Sequence, residues 1–557
     1  MEKNLTWWKK GVVYQIYPLS FKDTNNDGIG DIKGIISELN YLKDLGVDII
    51  WLSPIYESPM DDNGYDISNY LAINRMFGTM EDVDELIYEV HQRGMRIIMD
   101  LVVNHTSDEY PWFIEARKDR KSKYRNYYIW KDEPTPEIHS IFSGSAWEYN
   151  EQTNDYYFHL FSKKQPDLNW QNPELRKEIY HIINTWLNKG IDGFRMDVIE
   201  LIGKDIDTIR LGDGPYMETY LNEMYENCFK GRDIMTVGEM NGLSLERAEE
   251  LTSRENMGLS MTFNFSHLSV DEEKGKGKWH IKKPDMFEMK NILIKNNEIF
   301  KKGGWNALFL SNHDQVRQVS RFGSEKMRTK SAQALFTMSL LQRGTPFIYQ
   351  GEEIGMTGIR FINITDYKDI ETINWYKEAT VQGWSHEKIM ATIYSKGRDN
   401  SRTPMQWNKE IYAGFSQYEP WLQVNPNYVE VNVLDEMNNF DSVYNYLKQM
   451  LKLRKTHRAL IDGDFEAIYP EEKDTFIYKR SNEKENFLII SNLSDKQVTL
   501  DLEAFSKYKL MLSNDAIELS KQTMIKPYQA AIFMEEIWQL RMWQKKQAYL
   551  SQLLLMH

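Results

Sequence analysis

Short runs of apolar, often β-branched residues alternate with longer stretches whose apolar positions recur every three or four residues. This rhythm runs through most of the 557-residue chain. The short runs predict strands at Gly11–Tyr17, Asp48–Ser53, Arg96–Val103, Gly193–Val198, Ile234–Glu239, Ser260–Phe265, Ala307–Asp314 and Pro346–Gln350. Helical spacing at Ile32–Leu45 and Met80–Arg93 typifies what lies between them. Eight strands, each followed by a helix, is the count of an α/β protein with a (β/α)8 TIM barrel. A doubly wound sheet is the alternative, because strand order does not say whether the sheet closes.

Two stretches break the rhythm. Residues 105–173, rich in aromatic and charged side chains, read as an insertion after the third strand, and residues 358–421 as a smaller one after the eighth. The barrel then takes up 1–104 and 174–470. From 471 to 534, short alternating runs such as Thr475–Tyr478 and Phe487–Ile490 predict a C-terminal antiparallel β-sandwich. Residues 535–557 read as one more helix, with no chemistry in it.

Charge narrows the partners. Lys and Arg number 68 against 82 Asp and Glu, a net charge of −14, which disfavours nucleic acid and anionic membranes. The one cysteine, Cys228, excludes an internal disulfide framework and fits a reducing cytoplasm. No signal peptide or membrane span is expected, since no apolar run approaches the ~18 residues a span needs. The chain is therefore expected to act on a small molecule; a monomer or weak homodimer is the expected assembly, although nothing in the sequence fixes it. Aromatic residues make up 13% of the chain, and rings beyond those needed for the core suit the flat apolar faces of sugars.

The candidate chemistry gathers at predicted strand ends. Strand three ends DLVVNH (Asp100–His105), strand four carries Arg195 and Asp197, strand five ends at Glu239, and strand seven ends at His313 and Asp314. In a parallel barrel these C-terminal ends converge on one face. Any one Asp there could be a helix cap, but three carboxylates coinciding with Arg and His point to a site. Glycosidic cleavage needs one ionised carboxylate to attack and one protonated carboxyl to release the leaving oxygen. Arg195 and Asp197, two apart on a strand, share a face, so the guanidinium is expected to keep Asp197 ionised as the nucleophile. Glu239 has no cation beside it in sequence and is the expected acid/base. Asp314, His105 and His313 are left to hold sugar hydroxyls. A zinc site of His105, His313, Asp197 and Glu239 is a competing reading, but no H-E-x-x-H motif supports it.

These blocks, DLVVNH, GFRMDV, GE and NHD, resemble in order and spacing the signature regions of the α-amylase family, glycoside hydrolase family 13. WWKKGVVYQIYPLSF, SPMDDNGYDI, QPDLNW, YQGEEIGM and GRDNSRTPMQW resemble its oligo-1,6-glucosidase and glucan 1,6-α-glucosidase branch. The resemblance implies that Asp197 is the nucleophile, Glu239 the acid/base and Asp314 the transition-state stabiliser. It implies that His105, Arg195 and His313 line the glucose pocket and that Asp62 and Arg398 close it, with Arg402 as the alternative partner. Tyr65, Phe142, Phe161 and Gln165 would complete the wall. Val198 matches the α-1,6-preferring members, whereas Met240–Asn241 stand where dextran glucosidases tend to carry Trp, which favours short substrates.

The expected function is thus a retaining exo-α-glucosidase acting on isomaltose and short isomalto-oligosaccharides. The rivals are trehalose-6-phosphate hydrolase, dextran glucosidase, α-1,4-glucosidase and a sucrose isomerase; the first would need phosphate-facing cations, for which Lys274, Lys276, Lys278, Lys282 and Lys283 could serve, although a solvated charged segment is the favoured reading of that stretch. A non-catalytic scaffold relative is the rival of another class. One loop remains: Asp23, Asn25, Asp27 and Asp31 alternate oxygen ligands like the first part of an EF-hand, although Gly34 stands where its final Glu would be. A turn without metal is the other reading. The family resemblance implies a structural Ca2+ there, held by Asp23, Asn25, Asp27, the Ile29 carbonyl and Asp31.

Overall fold

The computed structural model describes residues 5–536. Eight parallel strands form one sheet: β1 (Val13–Ile16), β2 (Ile49–Leu52), β3 (Arg96–Leu101), β4 (Gly193–Met196), β5 (Met235–Glu239), β6 (Met261–Phe263), β7 (Ala307–Leu308) and β8 (Thr345–Tyr349). Neighbours run β6-β5-β4-β3-β2-β1-β8-β7, and a parallel bridge between Thr262 and Asn306 joins the two ends. The sheet therefore closes into a barrel and is not doubly wound. Closure explains the sequence pattern, because strands buried on both faces need unbroken apolar runs rather than alternation.

The helices start and stop where side chains satisfy backbone. Thr79 and Asp82 form a capping box for Met80–Gln92. Asn172 caps Pro173–Lys189, which ends on Gly190 in the left-handed conformation. The single helix expected over Ile32–Leu45 is two, Ile32–Ser37 and Leu39–Leu45, parted at Glu38.

The stretch after β3 folds around a three-stranded sheet, in the order Trp130–Lys131, Asp155–Phe158, Trp147–Asn150. The stretch after β8 carries helices Ile370–Val381 and His386–Lys396 with a small core around Trp375. Behind the barrel stands a five-stranded antiparallel sheet of β9 (Asp464–Ile468), β10 (Thr475–Ser481), β11 (Glu485–Asn492), β12 (Lys509–Ser513) and β13 (Ala530–Glu536). It begins upstream of residue 471. Alternation divides its two faces: Tyr478, Phe487 and Ile489 join the barrel core, while Ile477, Leu488 and Ile490 join a separate outer core. The buried Arg480 side chain donates to the Leu341, Ile461 and Gly463 carbonyls and ties this sheet to the barrel. Of the helix expected at 535–557, Glu535 and Glu536 belong to β13 and the rest lies outside the described residues.

Candidate functional site

Strand geometry explains how the charged residues meet. Asp100 in β3, Arg195 in β4 and Glu239 at the end of β5 sit on adjacent parallel strands, and the Asp197 N–H donates to Leu101 to end the β3–β4 ladder. Arg195 is 1% exposed and binds three carboxylates. Its Nη1 donates to Asp100 at 2.6 Å and to Asp197 at 2.5 Å, and its Nη2 to Glu239 at 2.5 Å. The expectation that the cation serves Asp197 alone is therefore corrected: Glu239, 44 residues away in sequence, shares the same guanidinium.

Burial pushes both Asp197 and Glu239 up to about 7, against the pull of Arg195. Asp100 is pushed up to about 6 by the same burial. Three buried carboxyls around one cation favour keeping a proton among them near neutrality. No private cation therefore separates the two reactive groups, which share one electrostatic environment.

Asp314 is different. Burial would raise it, but the Arg398 and Arg402 guanidinium groups hold its carboxyl far below the usual range. Arg402 donates to Asp314 at 2.8 Å and to the His313 carbonyl at 2.7 Å. Arg398 reaches Asp62 at 2.8 Å and Asp314 at 3.3 Å, so Arg398 is the partner of Asp62. A carboxylate fixed as an anion by two arginines suits a site where positive charge develops.

The wall is aromatic and neutral. Tyr65 stacks on His313 with centroids 5.2 Å apart and planes 8° from parallel. Phe161 lies 5.3 Å from His105 and 5.5 Å from Phe142, whose ring lies under the Arg398 guanidinium at 4.9 Å. Gln165 Nε2 donates to Asp62 at 3.1 Å. Burial pushes His105 down to about 4 and His313 down to about 3, so both rings are neutral at physiological pH. His313 Nδ1 faces Gln15 at 2.8 Å and its Nε2 faces Asp314 at 3.0 Å, whereas His105 turns to Asn104 and Tyr65. The two rings thus serve separate networks. Among the described residues no group of three or more His, Cys, Asp or Glu is arranged to hold a metal, which leaves the zinc reading without a geometric basis.

Val198 follows Asp197 with φ 36° and ψ 40°, left-handed backbone that a β-branched residue rarely adopts. The turn aims its N–H at Glu239 Oε2, 3.2 Å away. Strain of about 1–3 kcal/mol at such a residue is typical of sites where position matters more than comfort.

Two residues of this constellation were not picked out from sequence. Asp100 lies within DLVVNH, but its contact with Arg195 depends on strand adjacency. Asp369, in the second insertion, accepts from Arg398 Nε at 2.8 Å and from Nη2 at 2.5 Å, and no motif marks it.

The Asp23–Asp31 loop turns the carboxylates of Asp23 and Asp31 inward and leaves Asp27 exposed. Asp23 accepts from the Asn25, Asn26 and Gly28 amides, and Asp31 from the Thr24 and Gly34 amides. Gly34 admits no side chain, since a Cβ there would lie 2.1 Å from the Lys22 carbonyl. Among the described residues, no Lys, Arg or His is paired with Asp23, Asp27 or Asp31, so the loop's charge suits a cation. Its carboxylates are not gathered into a ligand cage.

Comparison with known proteins identifies the scaffold. Residues 15–463 match the family description "Alpha amylase, catalytic domain", and 465–532 match "Maltogenic Amylase, C-terminal domain". An oligo-1,6-glucosidase of Bacillus cereus is 48% identical, covering 96% of this chain and all of that protein. A glucan 1,6-alpha-glucosidase of Streptococcus dysgalactiae subsp. equisimilis is also 48% identical, covering 94% and 98%. The crystal structure of Bacillus licheniformis trehalose-6-phosphate hydrolase superposes with a TM-score of 0.90 at 43% identity, covering 95% and 100%. The chain is an enzyme that belongs to the α-amylase family of glycoside hydrolases.

Proposed function

We propose that this protein is a retaining exo-α-glucosidase that hydrolyses the non-reducing-end α-1,6 bond of isomaltose and short isomalto-oligosaccharides. The observation that carries this reading is the sharing of one guanidinium by Asp197 and Glu239. It bounds the separation of the two bonded oxygens at ~7 Å, a limit within which the ~5–5.5 Å of a double displacement falls. In this reading Asp197 attacks the anomeric carbon, Glu239 protonates the leaving oxygen and then deprotonates water, and Asp314 stabilises the oxocarbenium-like charge. The Asp62–Arg398 pair supports a pocket closed behind the terminal glucose, hence release of one sugar at a time.

The names of the relatives support the 1,6 linkage. Trehalose-6-phosphate hydrolysis is disfavoured because three of the five lysines, Lys276, Lys278 and Lys282, already pair with Glu273, Glu371 and Glu288. Met240 is buried and Asn241 exposed, so no ring follows Glu239 as a platform for long dextran. The buried, unpaired Cys228 supports a cytoplasmic location.

The test is glucose release from isomaltose, maltose, sucrose, trehalose-6-phosphate and dextran. Isomaltose should be fastest, and preference for trehalose-6-phosphate would overturn the substrate assignment. Val198→Thr should narrow the ratio of isomaltose to maltose turnover by about tenfold, since a hydroxyl at the acceptor side offers a 1,4-linked sugar a partner.

Calcium at the Asp23–Asp31 loop is a separate proposal, supported by its three carboxylates without a basic partner. Added Ca2+ at ~100 times its dissociation constant should stabilise the fold by about 2.7 kcal/mol and raise Tm, and EGTA should reverse this. An unmoved Tm would mean that the loop's own hydrogen bonds suffice.

A further inference from the structure

Behind the pocket wall lies a buried cation with no assigned task. Lys204, 6% exposed, follows the Val198 turn and points between the barrel and the insertion after β3. Its Nζ donates to Asn104 Oδ1 at 2.7 Å and lies 3.0 Å from Asp167. Burying an ammonium is costly unless it is paired and hydrogen-bonded, so this geometry is exacting.

The chemistry of donors then decides the state of His105. An ammonium has only protons to offer, so the Asn104 atom facing it must be oxygen. Asn104 Nδ2 consequently faces Asp167 at 3.2 Å and His105 Nδ1 at 3.1 Å. An amide nitrogen only donates, so Nδ1 must accept, and the neutral ring carries its proton on Nε2. The other end of the ring agrees: Nε2 lies 3.2 Å from the Tyr65 carbonyl, which only accepts. Gln165 Nε2, also 3.2 Å from His105 Nε2, is held by Asp62 at 3.1 Å, with its Oε1 taken by the Ser162 amide at 3.0 Å. It is therefore a contact and not a bond.

We propose that Lys204 is a positioning residue that, through Asn104, fixes His105 as its Nε2–H tautomer, so that the ring donates to the Tyr65 carbonyl and holds Tyr65 in the pocket wall. This rests on the reading above that the pocket holds the terminal glucose. Lys204 itself touches no substrate. Its loop follows the nucleophile and its partners come from the β3 end and the insertion, so one side chain couples three wall segments.

The test uses full-length protein labelled with 15N-histidine, the His105 signals being those that vanish in His105→Gln. The wild type should show Nε2 protonated and Nδ1 bare. Lys204→Met should give mixed tautomers and raise KM for isomaltose by about tenfold, with kcat falling less. Asn104→Asp keeps an oxygen acceptor against Lys204 but sets an acceptor against Nδ1 as well. It should move the proton to Nδ1 and raise KM likewise, and it decides the matter if Lys204→Met fails to fold. A wild-type Nδ1–H tautomer, or Asn104→Asp with tautomer and KM unchanged, overturns the proposal. If no sugar is cleaved, the function falls, while the tautomer readings still decide the role of Lys204.

Discussion

Replacing Asp197 with Asn should slow glucose release from isomaltose by on the order of 10⁴- to 10⁶-fold while leaving a well-folded protein. The amide fills the same space, and its oxygen still accepts from Arg195. What disappears is the nucleophilic charge, and with it the covalent glycosyl intermediate. Stability should not suffer, because Arg195 would then face two carboxyls, Asp100 and Glu239, in place of three. The repulsion that helps raise Glu239 would also be relieved. A Tm equal to or above the wild-type value, with activity at background, is the expected pair of results. Residual turnover within tenfold of wild type would remove Asp197 from the mechanism.

Glu239→Gln should produce a loss that depends on the leaving group. For isomaltose, whose departing alkoxide needs a proton, kcat/KM should fall by about 10²- to 10⁴-fold. For an aryl α-glucoside with an acidic phenol the first step needs no acid, so the intermediate accumulates and a burst of phenol appears. Azide should then speed turnover and yield a glucosyl azide of retained configuration. The pH profile carries a second signature. The productive form holds one proton on the Asp197–Glu239 pair. Activity is lost as pH falls and the second proton binds, and lost again as pH rises and the last proton leaves. Burial pushes both groups up to about 7, so the alkaline limb of the wild type should begin near neutrality and vanish in Glu239→Gln. A loss that is the same for both leaving groups would mean that Glu239 is not the acid.

What could be read from sequence divides along a physical line. The eight strands were legible because burial on both faces fills most of each run with apolar residues. The strand expected over Ala307–Asp314 is only Ala307–Leu308, because the chain then leaves the ladder to turn at Asn312, whose side chain accepts from the Asp314 amide. Reactive residues at strand ends were legible for the same topological reason. Their protonation was not, since proximity along the chain linked Arg195 with Asp197 and hid its equal hold on Glu239 and Asp100. Asp369 was out of reach altogether: an insertion has no period, so nothing in the text marks which of its carboxylates turns inward to an arginine. The Asp62–Arg398 pair joins residues 336 apart, and only the resemblance of the flanking motifs brought them together.

The two-sided C-terminal sheet bears on how the gene can be cut. Tyr478, Phe487 and Ile489 belong to the same apolar body as the barrel, and Arg480 is anchored on carbonyls of both parts. The sheet is therefore not a detachable module, as a tethered sugar-binding appendage would be. A shortened protein ending at the barrel would lose one wall of its own interior, and chimeras between relatives will be soundest where this sheet and the helix Arg328–Ser339 beneath it come from the same parent.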